Sequence, residues 1–205
     1  MVNFQPQYEV GDILTGGDEL IKLVIWDLGD TLNTTPPGGQ DAKPLDEYPE
    51  IQLRQGAKDV LCTLRDCGYR QAVLSNTAVS DSEVTRRMLA NLGIEDFFDY
   101  VFATASELDE AKPGKPDAVV YNWVLDEMQV SPHEAVMVGN TWDTDILGAN
   151  RSGIHALWLQ NPEVMVRRDS HSPINSPPWV IPIWDISDVP IGLSTLQSTC
   201  SGRRT

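Results

Sequence analysis

The sequence predicts an α/β protein in three layers, a mainly parallel sheet covered by helices on both faces, with no sizeable cap domain inserted into it. Two patterns lead there. Short apolar runs alternate with longer stretches whose apolar residues recur at helical spacing, the arrangement that builds parallel strands joined by crossover helices. Several of those runs also stop abruptly at an acid, a serine, an asparagine or a glycine. That suits strands buried on both faces whose carboxyl ends open onto solvent. A chain of 205 residues holds one such domain with a substantial core, and is short for two.

Residues 1–19 read as an N-terminal arm, followed by a core over 20–198 and a short tail over 199–205. The first strand is expected over Leu20–Trp26, running into Asp27-Leu28-Gly29-Asp30-Thr31-Leu32. A polar loop rich in proline and glycine spans Asn33 to Pro44 and continues to Tyr48-Pro49-Glu50. A helix starts near Ala57, with Ala57, Val60, Leu61 and Leu64 on one face and Gly68 as its stop. The second strand, Gln71–Leu74, ends in Ser75-Asn76. Ser80-Asp81-Ser82-Glu83 has the form of a capping box, ahead of an apolar face made by Val84, Met88, Leu89 and Leu92 and a stop at Gly93. Tyr100–Ala103 is the third strand. Lys115-Pro116-Asp117 opens a helix containing Val119, Val120, Trp123 and Val124, with proline in the tolerated first turn. Ala135–Val138 is the fourth strand, followed by Gly139-Asn140-Thr141-Trp142-Asp143-Thr144-Asp145 and a helix to Ser152. His155–Leu159 is the fifth. A Pro/Ser-rich loop covers 161–178, before a strand at Val180–Ile183 and a closing helix near Asp188–Gln197. No internal repeat is present. The whole reads as a Rossmann-like fold.

The formal net charge is −15, from 15 Lys and Arg against 30 Asp and Glu. Such a surplus argues against nucleic acid or an anionic membrane as partner, and a polyanionic substrate would need a metal or a local cation to offset the field. No stretch has the apolar length of a membrane-spanning helix, and the first twenty residues lack the basic start and apolar centre of a signal peptide. Cys62, Cys67 and Cys200 have neither the number nor the spacing of a disulfide framework or a zinc site, so a reduced, cytoplasmic setting is expected. The composition fixes no oligomeric state.

Ligands of open α/β sheets bind at the carboxyl ends of the strands, so Asp27 stands where chemistry takes place. A carboxylate there serves as a metal ligand or as a nucleophile towards phosphorus. Ser75 and the pair Asn140/Asp145 follow at later strand ends, and Lys115 at the start of the helix after the third. Their order and context resemble the four motifs of the haloacid dehalogenase superfamily, most of whose members are magnesium-dependent phosphatases. The resemblance covers about residues 20–160. It implies Asp27 as the nucleophile that becomes an aspartyl-phosphate, Ser75 and the backbone N–H of Asn76 as phosphoryl-binding groups, and Lys115 as the neutralising cation. It further implies a magnesium ion held by Asp27, Asn140, Asp145 and the backbone carbonyl of Gly29. Phosphoryl transfer depends mainly on positioning and charge neutralisation, which such a set supplies, and magnesium accepts a few oxygen ligands while retaining waters.

Plainer readings stand beside these. Asp27 also suits a turn, Ser75-Asn76 a turn cap, and Asp145 the first turn of a helix. Lys112 also precedes a proline, but Lys115-Pro116-Asp117-x-x-x-Tyr121 fits the family pattern better. Trp142 could stack on a substrate at the site mouth, with core or rim packing the plainer role, and Asp143 and His155 are expected to be structural or surface residues.

Two positions depart from the family. A second Asp usually stands two residues after the nucleophile as general acid and base, and here that residue is Gly29. Asp30 on a strand-like backbone points the other way unless a turn redirects it. General acid–base help is worth ~10²–10⁴-fold, so its loss predicts a slow enzyme or one confined to good leaving groups. Asn140 replaces an acid and weakens the metal site. Neither insertion point has room for a cap, as in the capless subfamily III, so the site is expected to be open to a bulky or macromolecular phosphate as well as a small one. The Asn33–Pro49 loop, with Asp41, Asp46 and Glu47, is the local lid and a candidate source of the missing acid. The expected activity is that of a phosphatase. The main rival is a weakened relative that binds a phosphorylated ligand or partner without turnover, followed by a phosphotransferase and a dehalogenase.

Overall fold

A computed structural model of the chain describes residues 21–105, 113–160 and 177–201. Six strands form one sheet: β1 (Leu23–Trp26), β2 (Arg70–Ser75), β3 (Tyr100–Ala103), β4 (Ala135–Gly139), β5 (His155–Leu159) and β6 (Val180–Ile183). Their order is β3-β2-β1-β4-β5-β6, and each neighbouring pair is parallel. The chain steps outward from β1 to β3, then returns to the other side of β1 as β4. The switch point of the sheet therefore lies between β1 and β4.

Alternation along β1 assigns its side chains to two cores. Val24 and Trp26 face α1 (Ala57–Asp66), α2 (Ser82–Asn91) and α5 (Val189–Ser201), packing with Leu61, Leu64, Leu89 and Leu193. Leu23 and Ile25 face α3 (Ala118–Met128) and α4 (Gly148–Arg151), packing with Val120, Val124, Met128 and Ala149. Both faces of the sheet are covered, which is why its strands read as continuous apolar runs.

The helix boundaries differ in detail from the sequence reading. Asp81, not Ser80, caps α2: its carboxylate accepts the Val84 N–H at 2.8 Å. Ser80 is buried and accepts the N–H of Leu45 instead. Helix α3 begins at Ala118 with Asp117 as its N-cap, so Lys115 and Pro116 belong to the loop before it, joined by a cis peptide. The segment after β4 is a π-helical turn, Trp142–Leu147, that runs into α4. The closing helix runs from Val189 to Ser201, beyond residue 198 where the core was expected to end. The arm 1–19, Leu20, Lys112 and the loop over 161–176 lie outside the described residues.

Between β1 and α1 the chain forms a loop with one short helical turn at Leu45–Glu47. Among the described residues neither this loop nor the segment from β2 to Lys115 holds a separate domain. The β1–α1 loop is pinned at both ends. Thr34 donates to Gln52 O at 2.9 Å and Arg54 to Leu32 O at 2.8 Å. The buried Asp41 carboxylate accepts the backbone N–H groups of Ala78, Val79 and Ser80 at 2.6, 3.1 and 2.7 Å.

Candidate active site

Parallel register brings the strand ends level. Trp26 pairs with Val73 on one side and Val138 on the other, so Asp27 emerges near Ser75 at the end of β2 and beside Gly139, the last residue of β4, with Asn140 following it. The Asp27 N–H still joins the sheet, donating to Val138 O at 3.0 Å.

Lys115 unites the site. Its ammonium donates to Asp27 Oδ1 and to Asp145 Oδ1, both at 2.7 Å, and all three side chains are almost wholly buried. Asn76 holds the backbone of that lysine in a reciprocal pair, accepting from Lys115 N at 2.8 Å and donating to Lys115 O at 2.9 Å. Asp145 is oriented at its other oxygen by the Thr141 N–H at 2.9 Å. Gly139 makes its position feasible, because a Cβ there would stand 2.4 Å from Asp145 Cβ. Gly148 does the same for Tyr121, whose hydroxyl donates to Thr144 O and braces the turn carrying Asp145.

Two carboxylates share one ammonium in a buried place. Burial, and next the Asp145 charge, push the Asp27 carboxyl up to about 6 against the pull of Lys115. Burial also opposes the charge on Lys115, but Asp145 and Asp27 outweigh it and hold the ammonium well above the ordinary lysine value. Thr31 Oγ1 donates to Asp27 Oδ2 at 3.2 Å and Lys115 to Oδ1, so both Asp27 oxygens are oriented.

One cavity of about 190 Å³ is lined by Asp27, Gly29, Ser75, Asn76, Lys115 and Asp145, which brings together six of the seven residues singled out in the sequence. Asn140 is buried beside it, with Oδ1 accepting from Thr141 Oγ1 at 3.2 Å and its backbone carbonyl held by Trp158 Nε1 at 3.0 Å. Trp142 packs edge-on against Trp158, with ring centroids 4.8 Å apart, half-buried against the small apolar cluster of Ile146, Ala156 and Trp158. Asp143 is exposed, and His155 is buried with Nδ1 accepting the Trp179 N–H.

The alternative acids stand elsewhere. Asp30 takes a left-handed backbone (φ 58°), and its carboxylate accepts Thr35 Oγ1 at 2.9 Å. Asp46 pairs with Arg87 at 2.6 Å, and neither Asp46 nor Glu47 lines the cavity, so the lid does not bring these acids to Asp27. Asp41 does line it, but its oxygens are taken by backbone donors. Burial alone would raise that carboxyl, yet the N–H groups of Ala78, Val79 and Ser80 and the Ser80 hydroxyl hold it below the ordinary value.

For a cation, the donors at hand are the Asp27 and Asp145 carboxylates, the Asn140 carboxamide and the Gly29 carbonyl. Among the described residues no three His, Cys, Asp or Glu side chains cluster as a metal site. The donors are all oxygens, and the two carboxylates exceed the single ammonium by one negative charge. That chemistry fits a hard divalent ion that keeps much of its water, such as magnesium. Sequence reading missed Thr31, Gly139, Gly148 and Trp158. Gly139 carried a signal, since it adjoins Asn140, but what each glycine makes room for, Asp145 at Gly139 and Tyr121 at Gly148, depends on how the chain folds back.

A family model of haloacid dehalogenase-like hydrolases matches residues 41–159, a segment that begins after β1 and Asp27. The glyceraldehyde 3-phosphate phosphatase of Methanothermobacter thermautotrophicus is 34% identical over 109 residues, covering 53% of this chain and 45% of that protein. The (S)-2-haloacid dehalogenase 1 of a Pseudomonas species is 32% identical over 106 residues, covering 51% of this chain and 44% of its own length. The chain thus spans less than half the length of these curated relatives. A crystal structure of an uncharacterized protein from Listeria monocytogenes serotype 4b superposes with a TM-score of 0.78 at 51% identity, covering 86% of this chain and 99% of that one. With more than half of its length inside the family model, on a parallel sheet of this order, the chain belongs to the haloacid dehalogenase-like hydrolases.

Proposed function

We propose that this chain is a magnesium-dependent phosphatase that works through an aspartyl-phosphate on Asp27. The observation that carries this reading is the buried triad in which Lys115 lies 2.7 Å from both Asp27 and Asp145 at the switch point of the sheet. Asp27 Oδ2, held by Thr31, attacks phosphorus. Lys115 offsets the charge that builds between nucleophile and phosphoryl oxygens, and Ser75 with the Asn76 N–H binds those oxygens. Asp27, Asn140, Asp145 and the Gly29 carbonyl would hold magnesium, which supplies charge neutralisation at the phosphoryl group. Lys115 is the one basic residue lining the cavity among the described residues, and it already serves two carboxylates. A phosphoryl dianion therefore needs the added cation.

The cavity is small beside the ~300–1,000 Å³ of ordinary small-molecule sites. It encloses a phosphoryl group and leaves the rest of a phosphorylated substrate, small or macromolecular, in the open cleft. Among the described residues no helix is long and apolar enough to cross a membrane. The number and spacing of the cysteines fit a reducing, cytoplasmic setting.

The test is hydrolysis of para-nitrophenyl phosphate and acetyl phosphate with and without magnesium, beside Asp27→Asn. Metal-dependent turnover that Asp27→Asn abolishes supports the reading. A folded wild-type protein without turnover at high magnesium overturns it. The protein would then be a binder of phosphorylated ligands, the reading favoured by the absence of an acid at residue 29. Halide release from 2-haloacids without metal would instead mark a dehalogenase.

A further inference from the structure

An alkyl phosphate needs a proton for its departing oxygen, whereas an acyl phosphate or a phenolic or enolic ester releases a stabilised anion without one. The residues around the cavity bear directly on that difference. Among those described, the carboxyls lining it are Asp27, Asp41 and Asp145. Asp27 is the attacking group. Asp145 is bound at one oxygen by Lys115 and at the other by the Thr141 N–H. Asp41 accepts three N–H groups and stays ionised, with no proton to give. Lys115 keeps its proton between two carboxylates.

Residue 29 is where a side chain would grow towards a leaving group, and its space is taken. A Cβ on Gly29 would meet Thr35 Cγ2 at 2.9 Å, closer than carbon atoms approach without something shifting. Thr35 thus fills the place, and its hydroxyl points its hydrogen away from the cavity, at Asp30 Oδ2. It presents lone pairs, which orient a water or a substrate donor but protonate nothing.

Resting on Asp27 as the phosphoryl acceptor, we infer that this site selects phosphoryl donors whose leaving group departs unprotonated. Acyl phosphates and related mixed anhydrides come first, aryl and enol phosphates next, and alkyl phosphomonoesters are poor substrates. In the first step an Asp27 oxygen bonds phosphorus while the phosphorus–oxygen bond to the leaving group breaks. The electron pair stays on the departing carboxylate and no proton moves. In the second, a water oxygen bonds phosphorus and the bond to Asp27 breaks. The Asp27 carboxylate is restored, and both hydrogens of the water leave on the phosphate monoanion.

The experiment is a leaving-group series of acetyl phosphate, para-nitrophenyl phosphate, phenyl phosphate and glycerol 3-phosphate, run with magnesium on wild type, Thr35→Ser and Gly29→Asp/Thr35→Ser. Serine lacks the methyl that a Cβ at residue 29 would strike, yet keeps a hydroxyl for Asp30. Wild-type kcat/KM is expected to fall at least ~100-fold from acetyl phosphate to glycerol 3-phosphate, the scale of the missing acid. The double variant should raise the alkyl end at least ~10-fold over Thr35→Ser, because a bound acid flattens such a series. A flat wild-type series with Asp27-dependent turnover overturns this inference alone, whether or not the double variant folds. A steep series that the double variant leaves unchanged overturns residue 29 as its cause. No Asp27-dependent turnover on any member overturns the phosphatase reading itself.

Discussion

Lys115 balances the site at the scale of single residues. Lys115→Met would leave Asp27 and Asp145 buried without a cation, and breaking a buried pair in this way costs about 3–5 kcal/mol. Because the folded Asp27 carboxyl is raised, protonating it favours the folded state. The variant should therefore recover stability as pH falls from 8 towards 6, measured by urea unfolding across that range. Equal stability of variant and wild type at pH 8 would refute the balance described. If Asp27 attacks as proposed, it must be ionised, and the same raised carboxyl predicts an acid limb in kcat/KM with an apparent midpoint towards about 6 at low magnesium. More magnesium should move that limb lower, because cation and proton compete for the same oxygens. Gly139→Ala places a methyl on Asp145, so turnover should drop at least ~10-fold with ~1–3 kcal/mol of overpacking strain.

At the scale of elements, the β1–α1 loop roofs the cavity because Asp41 ties it to the segment leading into α2. Asp41→Ala leaves three backbone donors without their acceptor, each worth about 1–3 kcal/mol if it stays dry. The expected readout is faster proteolysis between Asn33 and Pro49 in an otherwise folded protein. The folded Asp41 carboxyl lies below its unfolded value, so this tie is complete above the ordinary carboxylate range. It is lost as pH falls through the lower folded value. Asp46→Asn/Glu47→Gln, by contrast, should leave turnover unchanged, because Asp46 pairs with Arg87 and both residues lie outside the cavity. A tenfold loss of kcat there would return these acids to the reaction.

At the scale of the whole molecule, the switch between β1 and β4 gathers acids into one cleft of a chain that already carries −15. Bound magnesium should raise the thermal midpoint beyond what sodium chloride of equal ionic strength achieves, by the free energy of binding the folded state alone. Asp145→Asn should remove that difference while leaving the general salt effect. An identical response to both salts in wild type would mean screening without a site.

The fold was legible in the sequence because a parallel sheet buried on both faces writes each strand as an apolar run and each crossover helix as a 3.6-residue pattern. β3, β5 and β6 appear at the residues expected of them, and the other strands differ by a few residues at their ends. Six of the seven residues singled out line one cavity: Asp27 and Ser75 stand at strand ends, where backbone geometry already determines position, whereas Lys115 comes from the loop before α3 and Asp145 from the turn Trp142–Leu147. Only the tertiary structure decided the rest. That Asp30 turns away, that Thr35 fills the space beside Gly29, that Asn76 grips Lys115 and that Gly139 admits Asp145 all depend on contacts between segments far apart in the chain or on a local left-handed turn. One-dimensional pattern records which face a residue takes, but it holds no distance between a loop and the strand it folds back upon.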